Sequence, residues 1–465
     1  MCSDRARGAS ERSGMKVRLG TAAALVMLVG AVFAASASAK GRDVFKVCKH
    51  GCQYDSIQKA VDDVKKGKKS TVKVKPGTYH EGVILRGHKY DKLIITGTKK
   101  AKKTKLDGTN ARIQGQPAQN GIDATNVDGL KVKKLWARDY PTNGIFVHAD
   151  PGNHCHGFAM VKDWASFNGS YGLFAKHCTG GKITHTKGWG HGDSAIYIGE
   201  TPPQKNPDWT DISNNKSYLN VLGYSGTNSK YVDIHDNLFY NNGAGVVPNT
   251  LDSELFQPNA DGKIRDNDIF WNNFNYFLPK SPVETVSGGL GTIGDRTINY
   301  PTGVGVILFG SDSWLVKNNN IFGNFMWGAA SFSDGLTEGT EALNQNNRFV
   351  DNTMGRNGTD TNRFDFFNDG SMKGNCFEGN TSSTFDMANA NHPKSFIYPT
   401  CPAPQSAGTG TYQGDSGQIA ELANYVVSDP PCSQQDSWVR HSHPKFKGIT
   451  PIDTKNLGQC KDESP

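Results

Sequence analysis

The chain is 465 residues long, 36% hydrophobic, with 51 lysines and arginines against 44 acids and a formal net charge of +7. That length ordinarily means several compact domains, but so low an apolar share suits a thin repeated structure in which each coil needs only a narrow inward column. The lysines crowd Lys40 to Lys105 without an arginine-rich helix or zinc-finger spacing, so a dedicated nucleic-acid binder is excluded and a solvated basic face is expected.

The first 39 residues differ from the rest. Met15-Lys16-Val17-Arg18 is a basic head, Leu19 to Ala34 is mostly apolar, and Ala37-Ser38-Ala39 is a small-residue cleavage site, the pattern of a signal peptide cut after Ala39. The apolar stretch is shorter than the roughly 20 residues that span a bilayer; an uncleaved anchor is the alternative. Arg5, Arg7, Arg12, Lys16 and Arg18 leave with the segment against Asp4 and Glu11, taking the formal charge from +7 to +4. A bacterial protein exported to the periplasm or beyond is expected, with no membrane contact after cleavage.

Next, Ile57, Ala60, Val61 and Val64 recur at helical spacing between Tyr54 and Gly67, with Asp55 or Ser56 placed to cap the first turn. The period then changes to two. Val72 and Val74 alternate with lysines, Pro76-Gly77 turns, and Val83, Leu85 and Leu93-Ile94-Ile95 follow. From about Asn120 the chain repeats itself. A small residue precedes an apolar strand at Gly144-Ile145-Phe146-Val147, Gly172-Leu173-Phe174-Ala175, Ala195-Ile196-Tyr197-Ile198, Gly245-Val246-Val247 and Gly305-Val306-Ile307-Leu308, the first three lying 28 and 23 residues apart. A second apolar series (Leu130-Lys131-Val132, Phe158-Ala159-Met160, Lys182-Ile183-Thr184, Val232-Asp233-Ile234) precedes it in most rounds. This interval fits one coil of a β-solenoid. Asparagines such as Asn237, Asn242, Asn267, Asn272, Asn319, Asn324, Asn347 and Asn352 fall between the strands, where they serve turns and coil-to-coil amide ladders. Leu278 to Tyr300 reads as a long loop. The solenoid is expected over residues 40–395, and 396–465 as a linker with a short helix, Ile419 to Val427, in a C-terminal segment that folds back as a cap.

Beyond the signal segment eight cysteines remain, an even number that in an exported chain suggests disulfides. Cys48 with Cys52 and Cys155 with Cys178 are plausible local pairs. The spacings do not resemble a zinc site.

The run Tyr54-Asp55-Ser56-Ile57-Gln58-Lys59-Ala60-Val61, followed by Val72-Lys73-Val74-Lys75-Pro76-Gly77-Thr78-Tyr79-His80-Glu81, resembles the entry signature of the pectate-lyase-like superfamily. The later coils resemble parallel β-helix repeat families that include mannuronan C5-epimerases and a periplasmic accessory protein of nitrous oxide reductase. The resemblance spans roughly residues 44 to 390. It implies an all-β right-handed parallel β-helix with an N-terminal capping helix; it does not select an activity, because the superfamily holds lyases, hydrolases, esterases, epimerases and non-catalytic members. The Asp-Pro-His motif of the epimerases is incomplete here: His148-Ala149-Asp150-Pro151-Gly152-Asn153-His154 carries the Asp-Pro without the adjoining His.

In such a stack, equivalent residues of successive coils lie about 4.8 Å apart. If the aliphatic set points inward, Phe146, Phe174 and Tyr197 form an outer aromatic stripe on which sugar rings dock. Directly after these strands come His148, Lys176 with His177, Glu200 and Asn249. Removing the C5 proton of a uronate needs a base, a cationic group and an acid, types that His148, Lys176, His177 and Glu200 supply as candidate catalytic residues, with Asn249 beside the aromatics as a substrate contact. His154, His156, His185, His191 and Asp193 suggest a metal such as zinc or copper, while calcium is the cofactor that Asp193, Glu200, Asp208 and Asp211 allow; the metal ligands stay unassigned. The leading expectation is a monomeric exported solenoid that binds an acidic polysaccharide and, if catalytic, cleaves or epimerises it as a polysaccharide lyase or C5-epimerase would. The alternatives are a non-catalytic surface or adhesion solenoid and a periplasmic metal-handling accessory protein.

Overall fold

The computed structural model describes residues 42–274, 276, 291–293, 296–298, 302–333, 344–356, 360–369, 371–381, 391–392, 399–402 and 445–451. The expected signal segment and the Ile419 to Val427 helix lie outside the described residues. Among these residues the strands assemble into three parallel sheets of 12, 10 and 11 strands. Each sheet takes one strand per coil. A representative coil runs Lys131–Lys133 in the first sheet, Trp136–Arg138 in the second and Asn143–His148 in the third. The next coil repeats it with Ala159–Val161, Trp164–Ser166 and Leu173–Lys176, paired in register with the first. This is a right-handed parallel β-helix, running from Asp43–Val47 to Asn391–His392.

The two strand series read from the sequence are the third and first sheets. The second went unread, because its inward residues are small (Ala137, Ala165, Gly188, Ser217) and its outward positions carry tryptophan, tyrosine or lysine in no fixed order. Third-sheet strands were also missed, among them Leu222–Thr227, sequence LGYSGT, which hides the large inward Tyr224 among glycine and serine, and Trp327–Phe332, sequence WGAASF.

Inward, the core is one continuous column. Val132, Met160, Ile183 and Ile212 from the first sheet meet Ile145, Leu173, Ile196 and Val246 from the third in a single buried cluster. The small residue before each third-sheet strand has a steric origin. A Cβ at Gly144 would stand 2.6 Å from the Gly172 carbonyl of the next coil, and one at Gly305 would stand 2.4 Å from that of Gly328. The short helix Ile57–Asp62 buries Ile57, Ala60 and Val61 against this core, with the Ser56 side chain accepting from the Lys59 N–H at its start. It is shorter than the sequence suggested, ending at Asp63.

The turns are held by side-chain amides. Asn215, Asn237, Asn267, Asn319 and Asn352 form one ladder, in which each backbone N–H donates to the Oδ1 of the asparagine one coil further on at 2.9–3.0 Å. Asn220, Asn242, Asn272 and Asn324 form a second. His191 occupies the second ladder: it is fully buried and its Nδ1 accepts from the Asn168 N–H, so burial holds its pKa down to about 3 and the ring is neutral. Disulfides join Cys48 to Cys52, Cys155 to Cys178 and Cys376 to Cys401, and the first two match the expected local pairs. No helix among the described residues is long and apolar enough to cross a membrane.

Asp163 stands in the first ladder where later coils carry asparagine. Its Oδ1 accepts from the Leu135 N–H at 2.8 Å, while the buried Oδ2 has no hydrogen-bond partner. Burial pushes this carboxyl up to about 8, opposed by the backbone N–H groups of Leu135 and Val161. An acid whose pKa rises on folding contributes stability that is complete below its unfolded pKa and is lost as pH climbs through the folded one. Asp163→Asn, which supplies the donor in neutral form at every pH, is therefore expected to stabilise the protein at about pH 8 by on the order of 5 kcal/mol, with the gain vanishing near pH 4. Thermal melting of the two proteins across that window checks this.

Candidate functional site

The expected site residues follow from strand register. Asp123, Phe146, Phe174 and Tyr197 occupy one outward column of the third sheet, continued by Ser225 and Val247. Arg86, Thr125, His148, Lys176 and Gly199 occupy the next, two residues on. The alternation of aliphatic-inward and aromatic-outward residues holds.

The aromatic rings stack continuously. Phe146 and Phe174 lie 4.3 Å apart, Phe174 and Tyr197 4.6 Å, and Tyr171 packs on both Phe174 and Tyr197. His148 lies flat on Phe146 at 4.0 Å. The stripe is less open than the sequence suggested: Phe174 is 6% exposed and Tyr197 4%, so Phe146 and Tyr171 form its accessible part. In later coils the same outward positions, Val247 and Ile307, are buried in a second apolar cluster with Phe274, Phe325 and Trp327.

The polar residues fall into two groups. At the N-terminal end, Arg86 forks onto Asp123 with contacts of 2.9 and 3.1 Å, and the His148 Nε2 lies 3.1 Å from Asp123 Oδ1 and 3.0 Å from the Thr125 hydroxyl. Burial opposes ionisation of Asp123, but the hydrogen bonds from His148 and Arg86 prevail and hold its carboxyl down to about 2.

The second group centres on Glu200. Its carboxylate is buried, contacts the Lys176 ammonium through Oε1 and the His177 Nε2 through Oε2 at 2.6 Å. His177 Nδ1 donates to the Ala149 carbonyl at 2.9 Å, because that oxygen can only accept. Both residues sit at left-handed turn positions, φ 57° for His177 and 47° for Glu200, and Asn228 follows one coil later at 49°. A column of left-handed residues thus places an imidazole, a carboxylate and an amide one above another.

Glu254, not foreseen from the sequence, completes this group. It lies on the loop between Asn249 and Asn259, and that loop is tied down from below. The Asn228 amide donates to the carbonyls of Leu251, Glu254 and Leu255 at 2.9–3.2 Å, and the Lys230 ammonium contacts those of Phe256 and Pro258. Phe256 on the same loop meets the His177 ring edge-on at 5.7 Å. Burial first, then the hydrogen bond and charge of Glu200, push the Glu254 carboxyl up to about 7. Burial also disfavours the Glu200 carboxylate, but the bonds it accepts from His177, Glu254 and Lys176 hold it down to about 2. One proton is therefore shared by two acids, with Glu254 keeping it near neutrality. Glu254 left no trace in the repeat pattern, since its loop interrupts the coil; an acid in an insertion directly after a site-bearing strand was the one available signal.

Asn249 is fully buried, its Oδ1 accepting from the Thr227 hydroxyl at 3.1 Å and its Nδ2 making no hydrogen bond. The histidines expected to gather a metal are dispersed. His191 is in the ladder, the His185 ring contacts Thr184 and the His156 ring contacts Thr179. The acids considered for calcium are engaged separately, Glu200 with Lys176 and Asp211 with Lys182 and His235. Among the described residues the trio whose ligand atoms do converge is His88, Asp91 and Asp128, two coils earlier.

Compared with known proteins, neither a family model nor a curated protein sequence matches this chain. Solved structures do. The A-module of the Azotobacter vinelandii mannuronan C-5 epimerase AlgE4 superposes with a TM-score of 0.50 at 15% identity, over 70% of this chain and 89% of that one. The AlgE6 A-module of the same organism gives 0.45 at 17% over 77% and 94%. An α-1,3-glucanase catalytic unit from Streptomyces thermodiastaticus gives 0.46 at 12% over 78% and 70%. The first of these supports the right-handed parallel β-helix, and with it the fold that the entry signature implied.

Replacing Glu200 by glutamine removes the charge that helps hold the Glu254 proton. The Glu254 midpoint is expected to fall from about 7 toward its ordinary 4.5, read by carbon-13 carboxyl titration.

Proposed function

We propose that this protein is an exported polysaccharide-processing protein acting on an acidic polymer, with Glu254 and Glu200 as its proton-transfer pair. What carries the reading is a half-buried carboxyl, Glu254, whose pKa burial and the neighbouring Glu200 push up to about 7 while Glu200 is held down, at the edge of an aromatic and cationic face. A polysaccharide lyase or C5-epimerase must neutralise the uronate carboxylate, take the C5 proton and return a proton to the leaving oxygen or the opposite face. In this reading Lys176 and His148 meet the substrate carboxylate, Glu200 takes the C5 proton, the acid form of Glu254 gives one to the leaving oxygen or the opposite face, and His177 positions Glu200. Phe146 and Tyr171 receive the apolar face of a sugar ring, Phe174 and Tyr197 support them from below, and Asn249 backs the loop. Hydrolysis by the same pair is disfavoured, because acids close enough to share a hydrogen leave no room for a sugar between them.

The burial of Phe174 and Tyr197 favours the rival reading, a non-catalytic surface solenoid. The two part on Glu254. The enzyme reading expects purified protein to form unsaturated ends, or to exchange the C5 proton with deuterium, on at least one member of a panel of uronate polymers. It also expects Glu254→Gln to lower that rate by roughly 100-fold or more without changing the melting temperature. Because the acid form of Glu254 is populated below about 7, the rate should fall as pH rises through that value if Glu254 is the proton donor, and in the residual rate of Glu200→Gln that fall should move to lower pH. No ultraviolet absorbance change and no exchange on any polymer, or an unaltered rate in Glu254→Gln, removes the proposal.

A further inference from the structure

A second aromatic stack runs along a different face of the solenoid. On the second sheet Trp136 pairs with Trp164, and Ser166 with Trp189 and then Tyr218, in successive coils. The rings touch one another: Trp136 lies 5.6 Å from both Trp164 and Trp189, and Trp189 stacks on Tyr218 at 5.7 Å with planes 3° apart. All four are half-buried, and Phe167, 48% exposed at a left-handed φ of 52°, extends the patch beside them. A bulky aromatic in that conformation and in water is expensive to keep for the fold alone.

Farther along the axis the same column is sealed. Tyr240, Phe270 and Phe322 continue the stack but are buried, and Phe446 of the C-terminal segment packs on Phe270 at 5.1 Å and on Phe322 at 5.0 Å. Lys447 pairs with Asp268, and the Asn241 amide donates to the Thr450 carbonyl at 3.1 Å. The chain thus covers one half of the stripe with its own residues 445–451, while no described residue covers the other half.

The uncovered half is basic. Lys105 lies over the Trp136 ring at 5.2 Å and Lys187 over Trp164 at 4.8 Å, and Lys216 stands in register with Lys187. None of these three lysines pairs with a described carboxylate. Lys216 and Lys102 lie near enough to Lys187 to lower its pKa, after burial. The indole N–H groups of Trp164 and Trp189 make no hydrogen bond among the described residues. Rings contributed once per coil, their centroids 5.6–6.0 Å from one another and flanked by cations and indole donors that have no partner among the described residues, complement a linear polymer of sugar rings bearing carboxylates.

We propose that Trp136, Trp164, Trp189 and Tyr218, with Lys187 and Lys216, form a second binding surface that holds an anionic polysaccharide chain away from the Glu200–Glu254 site. It needs no chemistry at that site, so the two readings fail independently.

Affinity electrophoresis of the full chain through gels containing polygalacturonate, alginate or neutral dextran tests it, together with acrylamide quenching of tryptophan fluorescence. Retardation by at least one polyuronate and not by dextran is expected, with the polymer shielding tryptophan from acrylamide. Trp164→Ala with Trp189→Ala, and separately Lys187→Gln with Lys216→Gln, should each weaken retention about tenfold. Lys216 is exposed and Lys187 half-buried, so the lysine pair tests the site even if the tryptophan pair unfolds. Glu254→Gln should be retained like the wild type. Failure of every polyuronate to retard the wild type, equal retention of both double variants, or loss of retention in Glu254→Gln alone would each overturn the proposal. So would tryptophans already shielded without polymer, which would make another stretch of this chain the occupant.

Discussion

Everything in this molecule depends on the turns of one coil being hydrogen-bonded to the turns of the next in fixed register. Strand pairing alone leaves the corner N–H groups unsatisfied, and a buried unpaired donor is costly. The asparagine ladders meet that demand: in each rung an amide oxygen takes the N–H of the preceding coil and its nitrogen reaches a carbonyl beneath, as Asn267 does with the Asn237 N–H and the Ile234 carbonyl. Slippage by one residue would break every rung at once and turn the inward aliphatics outward. A column of residues can therefore be treated as a column of neighbours, which is what makes a site possible on so thin a body.

The same ladders tolerate substitutions in the early coils. His191 and Asp163 replace asparagine there, both buried and both forced into their neutral forms by the surroundings that suit an amide. Histidine and aspartate are residues that sequence reading assigns to metals or catalysis. Here they hold turns. Glu200 is the converse case: equally buried, it stays ionised because Lys176 and His177 reach it from the coil before and Glu254 brings a proton from a loop two coils later. The difference between a structural and a reactive buried acid lies in the charges that the stacking delivers to it.

Two outward aromatic columns run along two faces, and the fold treats them differently. On the third sheet the rings are largely covered and lead into the polar cluster. On the second they are covered at one end by Phe446 and half-open at the other, among lysines. Stacked rings stabilise the coils beneath them in either setting, so ring stacking alone does not mark a ligand surface; exposure together with unpaired charge distinguishes the two.

The sequence by itself determined the solenoid, the inward and outward alternation of the third-sheet strands it picked out and the purpose of the asparagines, and it offered two of the disulfides as plausible local pairs. These are local or periodic properties: alternation of two, a small residue where a Cβ would strike the next carbonyl, an amide at each corner. It also brought Lys176, His177 and Glu200 together correctly, since they occupy adjacent positions in successive repeats. Only the tertiary structure decided that Phe174 and Tyr197 are buried, that His191 is a ladder rung, and that Glu254 leans on Glu200. It alone revealed the tryptophan face of the second sheet, whose inward residues are alanine, glycine or serine and so leave no apolar period to read. Burial, and the pKa that follows from it, depends on what loops of unrepeated sequence lay over the coils, and a repeat pattern holds no information about the segments that depart from it.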